Sequence, residues 1–401
     1  MFTSFPAVHR YLHIPALLSV LALGPTACAG GQTPAPTAPS SAAAPTTPAA
    51  PAPTGPEAQV AAALAGLDRR AQVAQLVIAA VHPEDLDGSA ELAGSGVGGI
   101  FLAGRPEVTV EDLAATTADW QSSTTGPDLW LAVDQEGGSV QTLKGPGFGR
   151  LPSAVEQGRL PAGELAALAD GMAASLHGAG LNLNLAPVVD VVPTGTEAGN
   201  EPIGYYDRHY GSTGPEVVAA AGTVVDRLAA AGVTGTLKHF PGLGRVRGNT
   251  DTRTDVTDAV TTAGDEQVAA FAGTLARTES HPFVMMSSAT YTQIDPAGPA
   301  AFSRTVVTDL LRGRLGFDGV VISDDLGNAL AVSDIPPGER AVRFLAAGGT
   351  LVLTVDPSLA PPMIDAVLAR SDADPAFAAV VDGAVRTALL AKAHAGLLPA
   401  A

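Results

Sequence analysis

The chain has 401 residues, 46% of them hydrophobic, 15% charged and 4% aromatic, with a single cysteine. Its 40 acidic and 22 basic residues leave a formal net charge of -18, which repels a nucleic-acid phosphate backbone. One cysteine excludes an internal disulfide framework and any Cys-rich metal site. So few aromatics also exclude long stacking platforms.

The first 28 residues read as an export signal. Arg10 precedes an apolar run from Ile14 to Leu23, too short to span a bilayer. Pro25-Thr26-Ala27 and then Cys28 follow. A lone thiol there is the pattern of a bacterial lipoprotein, with Cys28 diacylated as the mature N-terminus; ordinary cleavage near Ala27 or Ala29 is the alternative. Residues 29–56 are rich in Pro, Ala and Thr, with no aromatic and no large aliphatic side chain, and read as a disordered, semi-rigid tether. The folded domain is expected over 57–401, outside the cytoplasmic membrane and anchored to it.

From there short apolar runs alternate with amphipathic helical patterns. The strand-like runs are 76–81, 98–102, 129–133, 181–186, 235–238, 283–287, 319–323 and 350–354. Helical periodicity covers 164–176, 216–231, 265–277 and 304–314, with Ser303 and Asp265 as cap candidates. Eight strands separated by helices predict an α/β fold, a (β/α)₈ TIM barrel, in a single catalytic domain. An open doubly wound sheet is the runner-up, disfavoured because no G-x-G-x-x-G turn follows an early strand.

Ionisable residues gather at the carboxyl ends of these runs, the active-site face of such a barrel. They are Asp134-Gln135-Glu136-Gly137-Gly138, the run ending at Asp190, Lys238-His239-Phe240-Pro241-Gly242, and Asp324-Asp325. One carboxylate is explained by helix capping, and Asp324 is open to that reading, but four strand ends are not. The histidines show no zinc-ligand spacing, and no G-x-S-x-G elbow or Walker-type loop occurs. A basin of carboxylates with Lys238, His239 and Arg208 suits glycoside hydrolysis. That chemistry calls for no metal or organic cofactor.

At these residues the chain resembles glycoside hydrolase family 3, and within it the single-barrel β-N-acetylglucosaminidases of the NagZ type. The resemblance implies a retaining mechanism through a covalent glycosyl-enzyme ester. It assigns Asp324 as nucleophile, and Asp134, Arg208, Lys238 and His239 as sugar-binding residues. It also implies that Asp325 orients the helix after the nucleophile and that Glu136 bonds inside the barrel.

Two departures stand out. The family's mobile loop ends in Asp-Ser-His, whose histidine is the acid/base, whereas here no histidine follows His239 in the loop. Aligned without gaps, Asn249-Thr250-Asp251 takes that place and Asp251 becomes the acid/base; a two-residue shift puts Arg253 there instead, which cannot exchange a proton. Asp255 and Asp258 are further carboxylates of the same loop. Eight residues after Asp134 the family carries a sugar-binding arginine; this chain has Thr142, with Lys144 nearby to replace the charge.

The expected activity is therefore an exo-β-N-acetylglucosaminidase of cell-wall fragments, with a carbohydrate as its partner and no evident protein partner. A family 3 β-glycosidase of other specificity, phosphorolysis, and a catalytically impaired muropeptide-binding lipoprotein are the alternatives.

Overall fold

The computed structural model describes residues 55–399 other than 84, 85, 87 and 88. The signal segment, Cys28 and the tether as far as residue 54 lie outside the described residues. Eight strands form a closed barrel in which each pairs with its neighbours in sequence. They are β1 (Val77–Val81), β2 (Gly99–Leu102), β3 (Trp130–Val133) and β4 (Leu183–Asn184), followed by β5 (Thr234–Phe240), β6 (Phe283–Met286), β7 (Val321–Asp325) and β8 (Leu351–Thr354). All pairs are parallel, and β1 closes the ring by pairing with both β2 and β8. Strands covered on both faces read as continuous apolar runs, which is why β1, β2, β3, β6 and β8 are buried throughout.

Helices form the outer layer. Gly214–Ala230 shows the pattern: Val217, Ala221, Val224, Val225 and Leu228 fall on one face and are buried. The expected caps are present, with Ser303 Oγ accepting from Val306 N–H and Asp265 from Gln267 N–H. The segment Thr305–Arg314 winds as a π-helix rather than the expected α-helix. The last helix, Pro375–His394, closes the amino end of the barrel. Its buried Lys392 donates to Gln75 Oε1 at 2.6 Å, next to β1, and Leu397 O accepts from Asp128 N–H before β3.

Three strands differ from expectation by more than one residue at an end. The ladder of β4 shrinks to Leu183–Asn184 because the amides of Asn182 and Asn184 take up backbone groups on either side of β3. Strands β5 and β7 run further, so His239, Asp324 and Asp325 belong to strand ends rather than to the loops after them.

Candidate active site

The alternation of side chains along an extended chain explains the Asp134-Gln135-Glu136 run. Asp134 and Glu136 both approach Lys238, whose Nζ lies 2.6 Å from Asp134 Oδ1 and 2.6 Å from Glu136 Oε1. Gln135 turns the other way and exchanges two hydrogen bonds with the backbone of Leu143, closing a small hairpin. The bend needs glycine. Gly137 sits at φ +107°, and a Cβ there would meet Pro152 O at 2.3 Å.

Glu136 is the hub of this wall. Arg208 donates to it twice, Nε to Oε2 at 2.9 Å and Nη2 to Oε1 at 2.7 Å, and also to Pro202 O. Burial pushes the Glu136 carboxyl upward, but Arg208 and Lys238 outweigh it and hold the group down at about 2. Lys238 is likewise desolvated, yet Asp134 and Glu136 keep its pKa above the ordinary lysine value. The Glu136 position thus bonds within the barrel wall, as expected, and its chemistry is to orient Arg208 and Lys238.

His239 is positioned from behind. Asp190, fully buried, accepts from His239 Nδ1 at 2.8 Å, from His239 N–H at 3.1 Å and from Leu243 N–H at 2.7 Å. The carboxylate contact at Nδ1 fixes the ring of His239 where it lines the cavity. The chain then passes close under the β4 end, where a Cβ on Gly244 would lie 1.8 Å from Val191 O. Asp190 is the site residue missed by sequence reasoning, which noted it only as a strand-end carboxylate. Its signal was the apolar run Val188-Val189 delivering an acid to the face of the barrel that carries function.

At the end of β7, Asp325 is held by backbone donors. It accepts from Gly327, Asn328 and Val355 N–H at 2.8, 2.8 and 2.9 Å, fixing the turn and tying it to the end of β8. No α-helix follows; the next element is a 3₁₀ turn, Leu330–Val332. Both capping expectations are thereby corrected: Asp324 caps no helix, and Asp325 orients a turn rather than a helix. Among the described residues, Asp324 accepts only the N–H of Asp325, at 2.8 Å.

The loop after His239 brings Asp251 to the same cavity, beside the segment that follows Asp325. Asn249 Oδ1 accepts from Asp251 N–H, while Thr250 O and Asp251 O accept from Ala331 and Leu330 N–H. Downstream, Thr257–Asp258 joins a small sheet with Thr290–Tyr291 and Asp295–Pro299. The Asp258 carboxylate is spent on Val260 and Thr261. Asp134, Arg208, Lys238, His239, Asp251, Asp324 and Asp325 all line one cavity of about 420 Å³; Arg253, Asp255 and Asp258 do not. Desolvation, then the charge of Asp324, raises the Asp251 carboxyl to about 6 against the opposing effects of Arg208 and His239. Thr142 is buried with its N–H on Asp134 O, and exposed Lys144 lies outside the cavity wall, so Lys144 does not replace the missing arginine.

A barrel that brings a strand-end carboxylate, Asp324, and a loop carboxylate raised toward neutrality, Asp251, into one cavity with cationic hydrogen-bond donors is built for glycosidic bond cleavage. Comparison with known proteins agrees. Residues 69–387 match the glycosyl hydrolase family 3 N terminal domain. A β-hexosaminidase of Stenotrophomonas maltophilia (strain R551-3) is 36% identical over 285 residues, 69% of this chain and 81% of that protein. The crystal structure of a β-N-acetylhexosaminidase from Beutenbergia cavernae superposes with a TM-score of 0.79 at 44% identity, covering 81% of this chain and 98% of that one. A family 3 β-N-acetylglucosaminidase from Paenibacillus sp. gives a TM-score of 0.72 at 28% identity, over 84% of this chain and 64% of that one. The chain belongs to glycosyl hydrolase family 3 and is a glycoside hydrolase.

Proposed function

We infer that the protein is a retaining exo-β-N-acetylglucosaminidase that removes terminal β-linked N-acetylglucosamine from peptidoglycan fragments. The β-hexosaminidase activity named for its relatives supports the sugar. The observation that carries the mechanism is the presence of Asp324 and a raised Asp251 in one cavity. Asp324 attacks the anomeric carbon while Asp251 gives its proton to the departing oxygen, so that a C–O ester bond forms as the glycosidic bond breaks. Asp251, now a carboxylate, takes a proton from water; the water oxygen bonds to the anomeric carbon and Asp324 leaves with its electron pair. Asp134, Arg208, Lys238 and His239 hold the sugar hydroxyls through donors and acceptors already fixed by Glu136 and Asp190.

An export signal ending at Cys28 and the Pro/Ala/Thr-rich stretch to residue 56 support a lipid-anchored enzyme held off the outer side of the membrane. Cell-wall fragments are the β-N-acetylglucosaminides such an enzyme meets. The test is turnover of a panel of 4-nitrophenyl sugars and of N-acetylglucosamine-terminated muropeptides by the full chain. Hydrolysis confined to N-acetylglucosaminides, with muropeptides cleaved, is the expected result. Binding of muropeptides without turnover of any substrate identifies a binding lipoprotein instead.

A further inference from the structure

Among the described residues, the large apolar side chains left exposed are Tyr205, Tyr206, Val260, Leu330 and Val380. Three of these five sit on segments whose neighbouring residues line the cavity. Tyr205 and Tyr206, 63% and 42% exposed, stand between Pro202 and Arg208, both of which line the cavity. Their rings meet edge to face, with centroids 5.0 Å apart at 86°. Leu330, 42% exposed, directly follows Asn328 and Ala329 of the cavity wall and donates its N–H to Asp251 O.

The tyrosines have a rigid base. Asn200 accepts from Tyr205 N–H through its carbonyl and from Gly204 N–H through Oδ1. Its Nδ2 donates to Leu243 O and Val246 O, in the segment that follows His239. Rings exposed on a fixed turn offer contact area with little further ordering cost on binding.

A cavity of about 420 Å³ has room for one pyranose, and the packed barrel interior closes it below. The remainder of the substrate therefore leaves past the mouth. A pyranose has apolar C–H faces and polar edges, which match an aromatic ring carrying a hydroxyl. We propose that Tyr205 and Tyr206, with Leu330, form an aglycone subsite that stacks the sugar on the leaving side of the scissile bond. This subsite rests on the reading of the cavity as the seat of a terminal N-acetylglucosamine.

The test compares kcat/KM for N,N′-diacetylchitobiose, which has a sugar aglycone, with that for N-acetyl-β-glucosaminyl fluoride, which has none, in the full chain. In the Tyr205→Ala/Tyr206→Ala variant the disaccharide-to-fluoride ratio falls about tenfold, the equivalent of one aromatic stacking contact. The Tyr205→Phe/Tyr206→Phe variant keeps the ratio because the rings remain, and Leu330→Ser lowers it by roughly twofold. Since the ratio is internal to each protein, partial misfolding does not move it. A ratio unchanged in the alanine variant overturns the subsite, as does a wild type that cleaves the fluoride but not the disaccharide. A wild type that cleaves neither overturns the functional reading itself, and the subsite with it.

Discussion

Lys238 and Lys392 are both buried lysines of one barrel, at opposite ends. At the carboxyl end Lys238 lies between two carboxylates, each 2.6 Å from its Nζ, and its pKa is raised despite burial. At the amino end Lys392 reaches only the amide oxygen of Gln75; burial dominates, Asp128 offsets it in part, and the pKa falls to about 7. The same side chain titrates in opposite directions because one end pairs its charge and the other only hydrogen-bonds it. The upper end keeps its positive charge on the wall of the cavity that the proposed function assigns to the sugar. The lower end tolerates a charge that does no chemistry.

Variants at the two ends test that contrast. The largest effect belongs to Asp324→Asn, which removes the nucleophile and lowers kcat by about 10⁴-fold on any glycoside. Asp251→Ala slows cleavage of a disaccharide by about 10²–10⁴-fold but affects a nitrophenyl leaving group far less in the first step, because that group needs little protonation. In the wild type, the Asp251 carboxyl near 6 is the acid in its protonated form, so kcat/KM for the disaccharide falls as pH rises through about 6. That limb disappears in Asp251→Ala.

Glu136→Gln leaves Arg208 desolvated without its anionic partner and costs on the order of 3 kcal/mol of stability at neutral pH, measured by denaturant unfolding. The sign with pH follows from a carboxyl lowered from 4.5 to about 2. Its stabilisation is complete above 4.5 and is lost as pH falls toward 2, so variant and wild type converge in acid. The smallest effect is at the other end. Lys392 binds fewer protons folded than unfolded between about 7 and 10.5, so stability from this group rises with pH across that window, by up to about 1.4 kcal/mol per unit. Lys392→Met flattens that slope and leaves activity unchanged. A loss of activity there would break the contrast between the two ends.

Much of this was legible in the sequence because local signals carried it. Apolar runs at regular spacing marked all eight strands, and ionisable residues after them marked the functional face. What was not legible depended on partners far apart in the chain. Arg208 is oriented by Glu136, 72 residues away, and His239 by Asp190, 49 residues away; neither spacing has a sequence signature. The ladder of β4 shortened because two asparagine side chains competed for backbone groups, and no helix followed Asp324 because Asp325 capped a turn instead. The loop acids were separated only by their surroundings: buried Asp258 folds back on its own turn, while Asp251 lines the cavity with Asp324.

The central claim is that Asp251 is the acid/base in one cavity with Asp324, and azide rescue tests it most directly. With the Asp251→Ala variant, 4-nitrophenyl N-acetyl-β-glucosaminide and sodium azide, turnover should recover and β-N-acetylglucosaminyl azide should accumulate. Azide attacks the glycosyl-Asp324 ester without needing a base. An Asp251→Ala enzyme that hydrolyses the disaccharide at the wild-type rate, or that yields no glycosyl azide, would contradict the account.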